Sequence, residues 1–522
     1  MSVRQSFVCF LASIALLAGC KSAHQVRDPE YAEVMHSVHE ACCAPTVEAV
    51  NPVYSHLNGP HSVEEYIQFA LAQNPDIHAA RKRMESLAHK VPVAGSLQDP
   101  MLGMTTFPEQ VQTAAGQQEF ALAASQKLPW HGKLDARAGV AESKTDMARA
   151  QLAAVELATI AKVKRAYYEL YFIQQATAVT EAERQLLAEI RDVANSRYKS
   201  GRTSQQDVLR ADLEISSIEN ELIRLRQRLQ SGRARLARVL HVSPQTRLLA
   251  LDRLRREQVP RDLDWLQREA VTARPELHAQ FAAIQRDRQA VDLAQFDYLP
   301  DLTLGATWID VANAGISPVA NGRDAVLVSI GMNLPIYRQR LDSSVRSAEA
   351  QVVATTRQYD SLRDDTLEQV TDLFAQARSH EDMLTLFRED ILPKARQTLA
   401  VSNQAYNVGE VDFLQLIDNW RQLLRYEINY HRLEASLRQT LAELERVVGG
   451  FAGAAPESVP TLPACHACDG CFVDCTYCLP PPLPYAYLDG CTCHSRAASR
   501  YLSRLPQPVD EGVETISEVF TE

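Results

Sequence analysis

Seven of the eleven cysteines in this 522-residue chain fall between positions 465 and 493. Together with one adjacent histidine they are Cys465, Cys468, Cys471, Cys475, Cys478, Cys491, Cys493 and His494. Closely spaced thiolates can hold a soft metal ion such as copper or zinc, whereas in an oxidising compartment the same residues can form disulfides. Because seven is odd, at least one thiol pairs elsewhere or stays free. The tail therefore predicts either a soft-metal site or a disulfide cluster.

A second group of potential metal ligands lies near the N-terminus. His36 and His39 precede Cys42 and Cys43 with a spacing of three residues, which corresponds to one face if this segment is helical. This group is a further candidate for a soft-metal site. Beyond such an ion, we expect the protein to require no cofactor.

The first residues form a targeting segment. Arg4 precedes an apolar run over residues 7–18, and Leu17-Ala-Gly-Cys20 resembles a lipobox, the bacterial signal for lipid attachment to the cysteine. We predict a signal peptide over residues 1–19 and a lipid anchor on Cys20. The residue after Cys20 is Lys21 and not the aspartate that signals retention in the inner membrane. We therefore expect export to the outer membrane. The first four tail cysteines match the spacing of the cluster ligands in a bacterial ferredoxin. Export nevertheless argues against an Fe–S cluster in the tail, because such clusters are usually assembled in the cytoplasm.

Composition excludes several classes of protein. The formal net charge of -11 and a pI near 5.8 provide no basic surface for nucleic acid. No Ser/His/Asp group, phosphate loop or carboxylate pair has the sequence context of an active site, so we expect no enzyme. No apolar run reaches the roughly 18 residues of a membrane-spanning helix. If the protein crosses a bilayer, it does so with strands.

The central part of the chain predicts long helices. Residues 133–199 contain no proline and one glycine, which at 1.5 Å per residue gives a helix about 100 Å long. After Gly201, apolar residues recur from 208 to 239 in alternating steps of three and four, the heptad spacing of a coiled coil. These two segments predict a long antiparallel hairpin.

Similar patterns place the remaining elements. Ser62 is positioned to cap a helix over 62–90, and period-two alternation predicts strands at 101–107 and 119–128 joined by a loop at 108–118. In the second half we predict the elements in the same order. They are a helix at 265–297, strands at 302–308 and 326–334, a long helix at 341–407 and a return helix at 411–448. Pro393 should kink the long helix. The fold class is therefore mainly α with a small β part.

The two halves also share short motifs, which indicates a tandem duplication. The paired motifs are Asn74-Pro-Asp-Ile-His78 with Arg274-Pro-Glu-Leu-His278, Leu102-Gly103 with Leu304-Gly305, Leu128-Pro129 with Leu334-Pro335, and Tyr198-Lys-Ser-Gly201 with Tyr406-Asn-Val-Gly409. We predict an extended lipid-anchored leader (20–60), two repeats (61–250 and 251–450) and the Cys/Pro-rich tail (451–522). Because a barrel needs about eight strands and open edges are unstable in hydrocarbon, four strands per chain predict a closed homo-oligomer.

These residues resemble the TolC family of outer-membrane efflux channels over roughly 62–450. The resemblance rests on the repeated layout, the Tyr-x-x-Gly motif at both tips and the Leu-Pro after each second strand. The segment Gln126-Lys-Leu-Pro-Trp-His-Gly-Lys133 is similar to the corresponding segment in one branch of this family. The members of that branch serve heavy-metal efflux pumps of the resistance-nodulation-division type.

The resemblance implies a homotrimer in which pooled strands form a transmembrane β-barrel, continued across the periplasm by an α-helical barrel. Tyr198, Gly201, Tyr406 and Gly409 would lie at the tips, where a periplasmic adaptor docks and links the channel to the inner-membrane pump. Asp418 and Tyr406 fall at positions of the family's pore aperture. Two other aperture positions are occupied here by Gln415 and Val411, which departs from the usual charges.

We therefore expect a lipid-anchored outer-membrane channel that extends into the periplasm and passively conducts heavy-metal cations. Two alternatives remain open from the sequence. The same scaffold could export organic drugs, or the chain could be a lipid-anchored structural coiled coil without a pore.

Overall fold

The structure, a computed structural model, describes residues 55–254, 259–313 and 315–450, together with residues 28, 30, 31, 34 and 35. The predicted lipidation site Cys20, the histidines His36 and His39, and the tail from residue 451 lie outside these residues. All eleven cysteines lie outside them as well. The lipid anchor, the metal sites and the disulfides therefore stay predictions.

In the first half of the chain, short helices precede a strand pair, which is followed by a long helix and its return arm. The elements are β1 (Gly59–His61), α1 (Val63–Gln73), α2 (Pro75–Ala88), α3 (Lys90–Gly95), β2 (Met101–Thr113), β3 (Gly116–Leu128), α4 (Lys133–Lys199) and α5 (Gln205–Leu240). The predicted bounds of the long helix are confirmed. Ser62 caps α1 as predicted, because its hydroxyl accepts a hydrogen bond from the Glu65 N–H at 3.3 Å.

The second half contains the same order of elements. They are β4 (Leu248–Ala250), α6 (Leu263–Ala273), α7 (Pro275–Gln295), β5 (Leu302–Val311), β6 (Ala325–Met332), α8 (Arg338–Leu386), α9 (Leu392–Val408) and α10 (Phe413–Val448). A π-helical turn, Phe387–Ile391, connects α8 to α9 and ends two residues before Pro393. This wider turn interrupts regular α-helical hydrogen bonding at the position where the sequence predicted a kink.

The two helices predicted over 62–90 and 265–297 are not continuous, and this part of the prediction was wrong. They break at Asn74 and Arg274, where ψ is 123° and 118°, outside the helical region. Each break precedes a proline, whose ring disfavours helical backbone in the residue before it. The proline then occupies the first turn of the next helix, where it is tolerated.

The loop predicted over 108–118 was also wrong, because most of it belongs to the strand pair. β2 and β3 extend until Thr113 pairs with Gly116, and the register shifts between Thr106 and Val111. Pro108 lies within this shift and has no N–H to donate. A bulge at that point removes the demand for a hydrogen bond and lets pairing resume beyond it.

The strand pairs of the two halves form one four-stranded antiparallel sheet. The strand order is β2-β3-β5-β6, and the halves meet where β3 pairs with β5 from Gln118–Val311 to Leu128–Leu302. Strands β2 and β6 are the edges of this sheet and expose large apolar side chains, including Met101, Leu102, Val326, Val328 and Ile330. Edge strands with exposed apolar residues favour further pairing or an apolar environment.

The long helix α4 is the element against which the others pack. It contacts α2, α3 and α7 along one part of its length and α5 and α10 along another. Near its C-terminal end, a cluster from both halves is buried, which we call the tip cluster: Leu187, Ile190, Ala194, Ala211, Leu399, Tyr406, Phe413, Leu416 and Trp420. The two helical hairpins are thus joined by a shared apolar core at this end.

We expect Asn74→Ala to lower the free energy of unfolding by about 1–2 kcal/mol. The Asn74 side chain caps α2 by accepting from the Asp76 N–H at 2.9 Å, and it donates to the Val239 carbonyl at 2.9 Å. Alanine removes both bonds, whereas Asn74→Ser keeps a capping oxygen and should recover part of the loss. Chemical unfolding followed by circular dichroism measures the difference, and equal stability of all three proteins would contradict the assignment.

Candidate gate at the helical tips

Gly201 and Gly409 end the two long helical arms with left-handed backbone. Their φ angles are +73° and +90°, values that residues other than glycine rarely adopt. In each turn a later N–H reaches back five residues: Arg202 donates to the Arg197 carbonyl and Glu410 to the Ala405 carbonyl, both at 2.9 Å. This is the Schellman helix ending. It explains both glycines locally, and adaptor docking at these tips stays a prediction.

The two tip tyrosines are in different environments. The Tyr198 side chain is 43% exposed, whereas Tyr406 is 2% exposed and belongs to the tip cluster. The Tyr406 ring packs against Phe413 with centroids 5.6 Å apart. Tyr198 is therefore available to a partner, while Tyr406 lies between the hairpins of a single chain.

Arg197 connects the two hairpins at this end. Its Nη1 donates to the carbonyls of Tyr406 and Asn407, the latter at 2.8 Å, and its guanidinium lies 4.8 Å from the centroid of the Tyr406 ring. Carbonyls in the last turn of a helix have no helical partner and attract cations. Arg197 on α4 therefore caps α9, and it holds Tyr406 in place by a cation–π contact.

A carboxylate also faces Tyr406. The Asp207 side chain accepts a hydrogen bond from the Thr203 hydroxyl, and burial together with the Asp207 charge raises the pKa of the Tyr406 phenol. Within the part of the chain that the structure describes, the Tyr406 hydroxyl is buried without a hydrogen-bond partner. We did not identify Arg197, Thr203 or Asp207 from the sequence. The available signal was their position within six residues of Gly201.

The structure does not bring Asp418 into contact with Tyr406. Asp418 is exposed on α10 and accepts a hydrogen bond from Gln422 at 3.2 Å. The neighbouring Arg421 pairs instead with Glu214 on α5. Tyr406 is thus an interior residue and Asp418 a surface residue of the single chain, and their role in a pore aperture stays a prediction.

A buried carboxyl group lies further from the tip, on α4. Glu183 is 8% exposed, and its Oε2 and the Trp420 Nε1 have no hydrogen-bond partner among the described residues. Burial raises the pKa of Glu183 to about 6, with a smaller effect from the Glu427 carboxylate, which itself pairs with Arg396 at 2.8 Å. The folded protein therefore holds the Glu183 proton more tightly than the unfolded chain does.

We expect this group to make stability depend on pH. Because the pKa in the folded state is raised, its full contribution is present below about pH 4.5 and is lost as pH rises through about 6, a loss of about 2 kcal/mol. Glu183→Gln should therefore stabilise the protein at pH 7.5 and have little effect at pH 4.5. Thermal unfolding at both pH values tests this, with the exposed Glu181→Gln as control; a pH-independent effect of Glu183→Gln would contradict it.

The segment 126–133, which carried the resemblance to the heavy-metal branch, forms the junction between sheet and helices. Asp301 is 5% exposed, and it lies 3.1 Å from the Lys127 Nζ and 3.4 Å from the Lys133 Nζ. It also accepts from the Trp130 N–H at 3.3 Å. Both lysines of the segment therefore bind one carboxylate from the second half, a contact that the sequence did not reveal.

Two kinds of site are absent from the part of the chain described by the structure. Among those residues, no three His, Cys, Asp or Glu side chains are grouped so that they could hold a metal ion. Nor do they include a helix that is both long and apolar enough to cross a membrane.

A protein family described as "Outer membrane efflux protein" matches residues 66–240 and 266–450. Each matched range begins in the short helices and extends to the end of a return helix, α5 or α10. The match therefore covers both hairpins, both tips and the sheet.

Several individual proteins are similar to this chain over most of their length. The cobalt-zinc-cadmium resistance protein CzcC of Cupriavidus metallidurans is 23% identical over 403 residues, covering 75% of this chain and 90% of CzcC. The pyoverdine export outer membrane protein OpmQ of Pseudomonas putida is 20% identical over 410 residues, covering 74% and 86%. The structure of the outer-membrane channel OprN superposes with a TM-score of 0.65 at 18% identity, covering 78% of this chain and 96% of OprN. The structural similarity to OprN establishes the fold of this chain.

Proposed function

Because the chain belongs to the outer membrane efflux protein family, we propose that it is the channel subunit through which a tripartite system exports heavy-metal cations. Members of the family are passive outer-membrane channels that form trimers and work with an adaptor and an inner-membrane pump. Family membership argues against the alternative of a structural coiled coil without a pore. It also agrees with the expectation that the protein is not an enzyme.

The observation that carries the choice of substrate is the similarity to the cobalt-zinc-cadmium resistance protein, of which this chain covers 90%. The exposed residues of α4 near the sheet are consistent with a cationic substrate, because Asp135 and Glu142 lie on one face of the helix, where Asp146 pairs with Arg149 at 2.6 Å. A surface of this charge concentrates cations. The similarity to the pyoverdine exporter, at 86% coverage of that protein, supports the second candidate, an organic substrate.

The tips are the proposed contact with the rest of the system. We assign adaptor docking to the turns at Gly201 and Gly409, with Tyr198 as the exposed aromatic residue. We assign the closed state of the channel to the contact between Arg197 and Tyr406, with Asp418 on the surface of α10 as a ring of charge in the trimer. We assign selection of the exported metal to the pump.

Deletion of the gene tests the substrate. We expect a strain without this protein to lose tolerance of cobalt, zinc and cadmium, and the full-length chain to restore it. Unchanged metal tolerance together with lost secretion of an organic compound would replace the proposal by the second candidate.

The cysteine tail is tested separately, with the protein truncated after Val459 as the control. We propose that the tail holds a soft metal ion, and that Cys20 carries the lipid anchor. Zinc and Cu(I) titration of the reduced full-length protein should then show binding that the truncated protein lacks. Equal binding by both proteins would favour disulfides in the tail instead.

A further inference from the structure

A cleft of about 320 Å³ lies between α2, α3, α4 and α7, close to the sheet. Its polar lining consists of three cationic side chains, Lys90, Arg137 and Lys144, and its apolar lining includes Leu87, Val140 and Leu293. None of the described residues that line it is acidic. The cleft thus combines positive charge with an apolar wall.

The three cations have no acidic partner within the part of the chain that the structure describes. Among the described residues, none of the three forms an ion pair or a side-chain hydrogen bond. Grouping like charges without a counterion is unfavourable, and an anion between them would remove this repulsion. The chemistry of the cleft therefore fits an anionic ligand.

Positive charge is grouped on one face of the first turns of α4. Arg137 and Lys144 lie seven residues apart on the face that lines the cleft. The exposed residues Asp135, Glu142 and Asp146 occupy the opposite face, where Asp146 pairs with Arg149 at 2.6 Å. The acidic residues of α4 thus lie away from the cleft and do not neutralise its cations.

The cleft lies near the end of the sheet at which α4 begins. Arg137 and Lys144 lie about 6 Å and 17 Å along α4 from its first residue, Lys133, and α4 begins shortly after β3 ends at Leu128. Trp130, 40% exposed between β3 and α4, is of the type found at membrane interfaces. Beyond it, the sheet exposes the large apolar side chains of β2 and β6. Arg137 and Lys144 therefore lie near the end of the sheet that the proposed function places in the membrane.

From this arrangement we infer that the cleft binds an anionic phospholipid, whose phosphate is held by Lys90, Arg137 and Lys144. The first part of the acyl chains packs against Leu87, Val140 and Leu293. The inference rests on the outer-membrane location of the proposed function and adds a lipid ligand to it. A bound lipid would fix α2 and α3 against α4 at the point where the helices enter the membrane.

Native mass spectrometry of the protein released from phosphatidylglycerol nanodiscs tests this. We expect each chain to retain phosphatidylglycerol and not phosphatidylcholine. The triple variant Lys90→Gln, Arg137→Gln, Lys144→Gln should retain it about a hundred-fold more weakly, at about five-fold for each cation near a membrane surface. The matched control removes the same charge from exposed residues of α5, Arg226→Gln, Arg228→Gln and Arg235→Gln, and should bind like the wild type.

Equal retention of both lipids by the wild type, or undiminished retention by the triple variant, would overturn the inference. So would release of the lipid by free glycerol 3-phosphate at equal concentration, since the site would then recognise soluble phosphates. If the triple variant does not assemble, the single variants of the exposed residues Lys90 and Lys144 should each show the five-fold loss, and no loss in either overturns the inference. Metal tolerance is a separate readout, so failure of the substrate proposal leaves this result interpretable.

Discussion

Replacement of Asp301 by alanine is expected to lower the free energy of unfolding by about 3–5 kcal/mol, the usual cost of leaving a buried charge without its partner. Among the described residues, Lys133, whose side chain is 7% exposed, would keep only Asp297 at 3.0 Å as an ion-pair partner, and the Asp297 side chain is itself 40% exposed. The Trp130 N–H would lose its acceptor as well. The loss should therefore separate the sheet from the start of α4.

Two variants separate this effect from a general surface change. Asp301→Asn preserves shape and a hydrogen-bond acceptor, so its cost should be smaller than that of alanine. Lys127→Ala removes the more exposed lysine, 46% exposed, and should cost about 1 kcal/mol or less. Urea-dependent unfolding of the detergent-solubilised protein, followed by circular dichroism, measures all three. A cost for Asp301→Ala no larger than that for Lys127→Ala would contradict the role assigned to the junction.

Replacement of Arg197 by alanine is expected to open the tips and to raise single-channel conductance several-fold. The variant removes two charged hydrogen bonds to carbonyls of α9 and one cation–π contact with Tyr406. At about 1.5–3 kcal/mol for a hydrogen bond to a charged group, their loss shifts the balance between closed and open tips by about a hundred-fold or more. Planar-bilayer recordings of the purified protein measure the conductance.

Arg191→Ala is the matched control, because Arg191 lies on the same helix and pairs only with its neighbour Asp192 at 2.7 Å among the described residues. We expect this variant to conduct like the wild type. If Arg197→Ala conducts no more than Arg191→Ala does, the closed state does not depend on the contact between the hairpins. A lower thermal stability of Arg197→Ala alone would then show that the contact serves only packing.

Much of the fold could be predicted because local chemistry determines it. The absence of proline over 133–199 and the apolar period of three and four specified α4 and α5, whose hydrogen bonds join residues only four apart. The strands were found from their period of two. The errors were local as well: Asn74 and Arg274 end helices because of the proline that follows, a signal that was present and not used.

The candidate site could be predicted only in part. The tip glycines were visible because a helix ending with positive φ needs glycine. Arg197 was not identified, because its partners Tyr406 and Asn407 lie 209 and 210 residues away. The burial of Glu183 was equally hidden, since an acidic residue on a long helix usually faces water.

The sequence by itself determined which segments are helix or strand, where the arms turn and which family the chain resembles, because these depend on neighbours along the chain. Only the tertiary structure decided which charges are paired and which groups are buried. Asp301 holds Lys133 across 168 residues, and Lys90, Arg137 and Lys144 share one cleft. Such contacts arise when helices pack against each other, and packing depends on the shape of whole elements and not on any short pattern of residues.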